Sequence, residues 1–506
     1  MGIFSLGVPG GDYFSRALTT IVLSLLAVCA VFVTLGLVQG PKLQSAIVDA
    51  ERVVTAPNQQ LRLFANQAVS AVDPAQVEIS PAAPFEVSVE NDSIQIQFTG
   101  LLAFDTDYTV TVTGVTSRYQ NRESEFRHEF TTAAGALTYL DRADPAQPGQ
   151  RDRIVRIGVG GDERETLVEA ERIQDFTMFP GAVAVATLGE DGSGSLSVVS
   201  LEDGATQSLG LPPDVTVGAM GSAPDSGVLA FTVTSLDRDS PQYTGTLFTV
   251  DLEGPPDAAP VAGLDGAPLQ VLDWVFLPTG AAAVARTVDD SILQLDLADG
   301  APATPLGSYT DLITVAPDGG EIVVADIYGA IALSLTTGEE RRLPTPPIDG
   351  IPTFGGDIEV LGGAQGRLQQ VAILDEETGR FASFVVFTDN EIVRILYESP
   401  DGQGSIEGFT VSPNGQYVAV TVIPNVATSV PDGYVVDPRS TSISTVVVEI
   451  ATGAVVRSVD GFGVEWSPVQ ARPRRSACDT RSPLACSRST RSRLDTGSAP
   501  AATRAS

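Results

Sequence analysis

Residues 312–325 read LITVAPDGGEIVVA and residues 409–420 read FTVSPNGQYVAV, and these two stretches decide the fold. Each has an apolar run, a turn of proline, aspartate or asparagine, and glycine, and then a second apolar run. Proline suits the second position of a tight turn, and glycine accepts the positive φ that follows. The pattern therefore predicts two antiparallel strands joined by a short turn.

The same pattern recurs along the chain at intervals of roughly 38–55 residues, which indicates a repeat architecture. One repeat cannot cover both of its own faces, whereas a ring of repeats leaves only short edges. We therefore expect a β-propeller over residues 137–469, with seven blades favoured and six or eight as alternatives. Two stacked β-sandwiches are the other architecture that the pattern allows. The expected inner strands begin near residues 173, 217, 271, 312, 351, 406 and 462.

The ring also needs a closure. The strands at residues 137–140, 154–158 and 165–168 lack an inner strand of their own in the sequence. We expect the strand at residues 462–468 to supply it, so that the two ends of the domain share one blade. The stretches SPNGQYVAV (residues 412–420) and VEIATG (residues 448–453) resemble β-propellers of the WD40-like and TolB-like group, although the tryptophan-aspartate pairs of WD40 repeats are missing. This resemblance implies the fold and no particular activity.

A smaller β-domain is expected over residues 57–133. Apolar residues alternate with polar ones at Ile94, Ile96 and Phe98, and about 80 residues of this pattern suit a seven-strand sandwich. The stretches DYTVTVTGV (residues 107–115) and FRHEFTT (residues 126–132) resemble the end of bacterial Ig-like domains of the S-layer type. That resemblance implies an Ig-like spacer in a cell-surface protein, without catalytic residues.

An apolar run precedes this domain. Residues 17–38 include no charged side chain, and a helix of this length spans a bilayer. We expect a single-pass transmembrane helix at 17–38, a cytoplasmic N-terminal tail at 1–16 and a linker at 39–56. A long domain translocates largely regardless of its charge, so the C-terminal domains are expected to be extracellular. A cleaved signal peptide is the alternative.

The composition excludes several functions. The chain has 63 acidic and 30 basic residues, a formal net charge of −33, so electrostatic binding of nucleic acid is not expected. It has one histidine, His128, and three cysteines. These counts argue against a zinc site of the His/Cys type and a Ser-His-Asp triad. His128 lies between Arg127 and Glu129 and is expected at the sheet surface, on the face opposite to the neighbouring phenylalanines or alternating with them.

The candidate site residues are Asp175, Asp273 and Glu407, each near the start of a repeat. Carboxylates there could form one ring in the central channel, hold Ca²⁺ or act in acid/base catalysis. The competing interpretation is that these acids are exposed loop residues. We predict no catalytic residues and no cofactor, with Ca²⁺ as the one candidate ligand. Trp274 and Trp466 are expected to pack between blades.

The C-terminal tail differs in composition from the rest of the chain. From residue 471 onward it has eight arginines and two aspartates, against 22 basic and 61 acidic residues before it. We expect residues 470–506 to form a disordered basic tail. Because the chain has 29 arginines and only one lysine, which suits a high-GC genome, a frameshift product is one interpretation. A basic arm for anionic polymers is the other.

These features together favour a non-catalytic scaffold or binding protein of the bacterial cell surface. The helix at residues 17–38 would anchor it in the cell membrane, and the Ig-like spacer would present the propeller to a protein or envelope partner. The alternative is a propeller hydrolase or lactonase with a carboxylate or metal site in the central channel.

Overall fold

The computed structural model of the protein describes residues 18–28 and most of residues 40–468. The gaps in the second range are residues 148, 224–225, 279, 299, 363–365, 377–378, 390 and 401–402. The predictions for the N-terminal tail, for the rest of the anchor and for residues 470–506 therefore lie outside the described residues.

Residues 18–28 are helical, and their large apolar side chains are exposed. Leu23 and Leu26 are the most exposed of its leucine and isoleucine side chains, at 60% each. Among the residues that the structure describes, none of the helices has both the length and the apolar character needed to cross a membrane.

Two antiparallel sheets follow and bury one shared core. Leu61 and Ile96 from one sheet and Val110 and Phe126 from the other are fully buried in it. The sheet orders are β1-β2-β5-β4 and β3-β6-β7. Short 3-10 turns lie at Arg52–Val54 and Pro74–Gln76. The strands are β1 (Leu43–Ile47), β2 (Gln60–Ala65), β3 (Val77–Ser80), β4 (Phe85–Glu90), β5 (Ser93–Phe98), β6 (Asp107–Ser117) and β7 (Gln120–Thr131).

The predicted linker at residues 39–56 is wrong, because this segment belongs to the sandwich. Strand β1 pairs with β2, and Val53 and Val54 are 1% and 0% exposed in the core. The sequence of β1, LQSAI, has apolar ends but no period-two alternation. It is a strand because it completes the edge of an existing sheet, which local pattern does not reveal.

The rest of the described chain forms seven four-stranded antiparallel sheets. Sheet 1 begins with β8 (Gly135–Asp141), β9 (Asp152–Gly158) and β10 (Arg164–Ala170). Sheet 2 contains β11 (Ile173–Phe179), β12 (Ala182–Leu188), β13 (Gly194–Ser200) and β14 (Thr206–Leu209). Sheet 3 contains β15 (Val215–Ala223), β16 (Val228–Ser235), β17 (Thr246–Asp251) and β18 (Ala259–Pro260). Sheet 4 contains β19 (Val271–Phe276), β20 (Ala282–Thr287), β21 (Ser291–Asp296) and β22 (Thr304–Ser308).

Three further sheets and a final strand complete the domain. Sheet 5 contains β23 (Asp311–Val315), β24 (Glu321–Asp326), β25 (Gly329–Ser334) and β26 (Glu340–Arg342). Sheet 6 contains β27 (Phe354–Val360), β28 (Arg367–Asp375), β29 (Arg380–Thr388) and β30 (Val393–Glu398). Sheet 7 contains β31 (Ser405–Val411), β32 (Tyr417–Ile423), β33 (Ser444–Glu449) and β34 (Val455–Asp460), with a 3-10 turn at Val426–Thr428. The chain then continues into β35 (Phe462–Pro468).

This domain is a β-propeller. The inner strands of successive sheets contact one another from β11 through β15, β19, β23 and β27 to β31. The last strand, β35, contacts both sheet 7 and β11, and it completes sheet 1 in the order β10-β9-β8-β35. Glu465 lies opposite Thr138, and Trp466 lies opposite Leu137. The closing pairing between the C-terminal strand and the first strands is therefore the one that the sequence predicts.

Strands alternate in direction within each sheet, so the ring has two different faces. We call the face where each inner strand begins the upper face. The turns between second and third strands also lie there. The lower face has the turns between first and second strands, and between third and fourth. The turns at residues 316–319 and 412–415, which the sequence pattern marks, lie on this lower face.

The sandwich contacts the lower face at sheet 7. Asn414 Nδ2 donates a hydrogen bond to the Leu102 carbonyl at 3.1 Å, and Phe104 N donates to Gln416 Oε1 at 2.8 Å. The ring of Tyr417 packs against the sandwich core. Polar and apolar contacts together therefore hold the sandwich against this sheet.

We predict that Gly461→Ala weakens ring closure. Gly461 has a φ of +147°, and a Cβ there would lie 2.6 Å from the Leu140 carbonyl oxygen, so the turn into β35 would have to move. Gly453→Ala is the matched control, because Gly453 also has positive φ but no atom within 4 Å of its Cβ position. Denaturant unfolding should show a loss for Gly461→Ala at least about 2 kcal/mol larger than for the control. Equal losses would contradict this.

Candidate functional site

Each inner strand has a β-bulge. The register between the first and second strands shifts in all seven described sheets, near the upper face. A bulge inserts an extra residue and re-aims the side chains that follow it. The residue after the bulge is therefore an equivalent position around the ring.

The bulge separates the predicted acids into two kinds. Asp175 and Asp273 directly follow the bulges of sheets 2 and 4, whereas Glu407 is itself the extra residue of sheet 7 and is exposed. The equivalent acid in sheet 1 is Glu465, which the sequence reasoning missed. Among the described residues, no three histidine, cysteine or acidic side chains form a group that could hold a metal ion. The structure thus does not bring the three predicted residues together.

Asp175 bridges two inner strands. Its carboxylate accepts hydrogen bonds from Phe176 N at 2.9 Å and from Met220 N of β15 at 3.2 Å. Desolvation by the surrounding protein raises the pKa of Asp175 to about 6, although these hydrogen bonds and the charge of Arg142 oppose the shift. The side chain thus links sheets 2 and 3 at the channel.

Glu465 makes the corresponding link between β35 and β11. Its Oε2 accepts a hydrogen bond from Met178 N at 2.8 Å. Desolvation raises the pKa of Glu465 to about 7, and the nearby charge of Asp175 adds to the shift. The sequence did offer one signal, since Glu465 lies in the strand that was predicted to close the ring. The bulge that aligns Glu465 with Asp175 and Asp273 leaves no signal in the sequence.

Asp273 has a different environment, because its charge is neutralised within its own sheet. Arg286 on β20 lies opposite it, and Nε and Nη2 contact Asp273 Oδ2 at 2.9 and 2.5 Å. The same guanidinium contacts Asp290 Oδ1 at 3.1 Å and Asp311 Oδ1 at 3.7 Å. Arg286 therefore organises three carboxylates near the upper face.

Glu359 makes a third link, between sheets 5 and 6. Thr314 Oγ1 donates a hydrogen bond to Glu359 Oε2 at 3.3 Å, which joins β23 to β27. Desolvation raises the pKa of Glu359 to about 7, and Asp357 adds to the shift. The pKa of Asp357 is raised as well, first by desolvation and then by Asp311. Partly exposed but desolvated carboxylates thus link adjacent inner strands at three places around the ring.

A buried network joins sheets 7, 1 and 2 on the upper face. Arg142 and Asp432 form an ion pair of 2.6 Å, with side chains only 4% and 3% exposed. The guanidinium stacks on Tyr434, 3.8 Å from the ring centroid, and the hydroxyl of Tyr434 donates to Asp152. Asp152 also accepts from Ile173 N at 2.7 Å. Removal of one partner of such a pair would leave a buried charge, which costs about 3–5 kcal/mol.

Two tryptophans pack between sheets, as predicted. Trp274 meets Phe276 edge to face at 5.5 Å and contacts Gly221 of sheet 3. Trp466 stacks on Tyr417 of sheet 7, with centroids 6.4 Å apart.

His128 is half-buried, so its predicted place on the sheet surface is only partly right. It shares a face of β7 with Phe126 and Phe130 because side chains alternate along a strand, so the predicted opposite or alternating face is wrong. Desolvation lowers the pKa of His128, and Glu129 opposes the shift.

Comparisons with known proteins concern the fold alone. No protein-family model matches the chain, and no curated protein matches it. The solved structures that are similar include the dihydro-heme d1 dehydrogenase NirN, at 13% identity and a TM-score of 0.39, covering 66% of this chain and 75% of that one. A proposed 6-phosphogluconolactonase from Bacteroides uniformis has 15% identity and a TM-score of 0.40, covering 66% and 100%. Its counterpart from Bacteroides fragilis has 15% and 0.39, covering 65% and 98%.

We predict that Glu465→Gln changes the pH dependence of stability. A carboxyl with a raised pKa in the folded state stabilises most below its unfolded pKa, and the benefit is lost as pH rises toward the folded pKa. The wild-type protein should therefore lose up to roughly 3 kcal/mol relative to the variant between about pH 4 and pH 7. Glutamine retains the acceptor for Met178 N, so the variant should fold.

Unfolding free energies measured across this pH range test the prediction. Glu86→Gln is the control, because Glu86 is an exposed acid on the sandwich strand β4. If the unfolding free energies of the wild type and of Glu465→Gln change in parallel across this pH range, the pKa of Glu465 is not raised in the folded protein, which would contradict the prediction.

Proposed function

We propose that this protein is a membrane-anchored, non-catalytic binding protein of the cell surface. In this proposal a seven-bladed propeller binds a protein or envelope partner through its upper face, and an Ig-like domain spaces it from the bilayer. The distribution of exposed apolar side chains on the propeller is the observation that supports it best.

Twelve of the seventeen large apolar side chains exposed in the described part of the propeller lie at the upper face. Clustered exposed apolar side chains are typical of interaction surfaces, because a soluble surface otherwise disperses them. This concentration favours a partner on the upper face. The twelve are Leu264, Leu272, Val288, Ile327, Tyr328, Ile351, Phe354, Leu374, Phe381, Val426, Val430 and Val435.

The Ig-like part of the proposal is supported by strand order. The orders β1-β2-β5-β4 and β3-β6-β7 correspond to the ABED and CFG sheets of constant-type immunoglobulin domains. The blade number is supported by the seven four-stranded sheets in the described residues. We infer seven blades on that basis.

The anchor is supported by the helix at residues 18–28. Its exposed leucines, isoleucine and valines have no protein surface to bury them among the described residues, and lipid is a solvent that suits a mainly apolar helix without charged side chains. The sandwich follows the proposed anchor in the chain and contacts the lower face of the propeller. On this proposal, the upper face is therefore turned away from the bilayer.

The second candidate is a hydrolase or lactonase that uses carboxylates in the channel. The raised pKa values of Asp175 and Glu465 favour it, because groups that titrate near neutrality suit acid/base catalysis. Against it, both carboxylates already accept backbone hydrogen bonds, and Asp273 is ion-paired with Arg286. Ca²⁺ binding at Asp175, Asp273 or Glu407 stays a prediction.

Site-specific photo-crosslinking in cells tests the binding proposal. A crosslinking amino acid at Val430 on the upper face should give an adduct of defined mass with an envelope protein or polymer. The matched control is Val455 on the outer strand β34, since the two valines are 57% and 59% exposed. Adducts formed equally at both positions would contradict the proposal. So would hydrolysis of a lactone that Glu465→Gln abolishes, which would favour the enzyme.

A further inference from the structure

The upper face of sheet 6 has an exposed aromatic patch, which we define as Ile351, Phe354, Leu374 and Phe381. Phe354 and Phe381 are 60% and 51% exposed, yet their rings meet edge to face at 5.8 Å. Leu374 lies directly opposite Phe381 in the β28–β29 pairing. Two aromatic rings ordered against each other at a surface make a preformed contact with little entropy left to lose on binding.

The strand register explains why the patch is continuous. Phe354 lies opposite Ala372 of β28, and Leu374 is two residues further along the same strand. Side chains two residues apart share a face, so Phe354, Leu374 and Phe381 project from the same side of sheet 6. Ile348 and Ile351 form two mutual backbone hydrogen bonds, which close a tight turn three residues before Phe354.

Acidic residues flank the patch along the chain. Asp349 is in the turn before Ile351, Asp357 is in the bulge after Phe354, and Glu376 follows the β28 strand. All three are exposed to solvent, although the protein around Asp357 desolvates it in part and raises its pKa. Within the described residues none of them forms an ion pair. Arg380 is a basic residue at the same end of this hairpin, and it lies opposite Asp375 in the strand register.

We propose that this patch docks a polypeptide segment whose apolar side chains are flanked by lysine or arginine. The apolar centre would cover the two phenylalanines, and the flanking cations would approach Asp349, Asp357 and Glu376. Charge complementarity of this kind selects the partner and accelerates association. The inference rests on the proposed binding function and specifies the chemistry of its partner.

The same charges disfavour other occupants. A second copy of this chain would place acidic rims against each other, which like-charge repulsion opposes. An anionic lipid surface would meet the same repulsion, and the chain as a whole has a net charge of −33. A basic polypeptide is therefore the occupant that both the apolar and the charged features fit.

Two synthetic peptides test this with the full-length protein in detergent micelles. Both have the same centre of phenylalanine and leucine, flanked by lysines in one and by glutamates in the other. Fluorescence polarisation should show the lysine-flanked peptide binding at least about tenfold more tightly. Raising the salt concentration from about 0.05 to 0.3 M should weaken that binding.

Variants locate the binding. Phe354→Ser with Phe381→Ser should reduce affinity at least about tenfold, whereas Val455→Ser, an exposed apolar control, should not. Asp357→Asn keeps the shape of the side chain and should lower the affinity for the lysine-flanked peptide but not for the glutamate-flanked one. Glu86→Gln is its control. All of these positions are exposed, so their melting temperatures should match the wild type.

Several results would overturn the inference. These are equal binding of both peptides, binding that the phenylalanine variants do not change, and self-association or anionic vesicle binding that those variants abolish. Tighter binding of the glutamate-flanked peptide at the patch would overturn the inference that the partner is basic. It would not contradict the proposal that the upper face binds a partner. If neither peptide binds while the Val430 crosslink forms, this inference alone fails. If the crosslink is absent as well, the proposed function fails with it.

Discussion

The pairing of β35 with β8 is the constraint on which the rest of the propeller depends. It makes the last strand of the ring the inner strand of the first sheet, so that sheet 1 has four strands like the other six. The Glu465 carboxylate extends this closure to β11, and the Arg142–Asp432 ion pair ties sheet 7 to sheet 1 on the upper face. Both features lie where the two ends of the domain meet.

The sequence predicted the propeller because its repeat is local: the turn residues and the apolar runs on either side of them lie in one short stretch. The inner strands begin within three residues of the expected positions, even for the weak copy near residue 351, where β27 begins at Phe354. Strand β1 was missed because only its neighbour β2 makes it a strand. Glu465 was missed, and Glu407 chosen, because a bulge shifts the register by one residue and leaves no local signal. The hydrogen-bond partners of Asp175 and Glu465 come from other sheets, so the desolvation of these two carboxylates could not be predicted.

The two faces of the ring differ in what they offer a partner. The lower face at sheet 7 is occupied by the sandwich through Asn414, Gln416 and Tyr417. The upper face concentrates exposed apolar side chains, and its carboxylates at Asp273, Asp290 and Asp311 surround one arginine. Along the inner strands, Asp175 and Glu465 accept hydrogen bonds from neighbouring sheets. These differences between the faces are the observations on which the proposed binding function rests.

Native-state hydrogen exchange of the full chain tests ring closure most directly. If β35 closes the ring, the amides of β35 should exchange with the same opening free energy as those of β8 and β11, because all three would become exposed in one cooperative event. Amides of β35 that exchange through a separate opening of lower free energy, while β8 and β11 stay protected, would contradict the account.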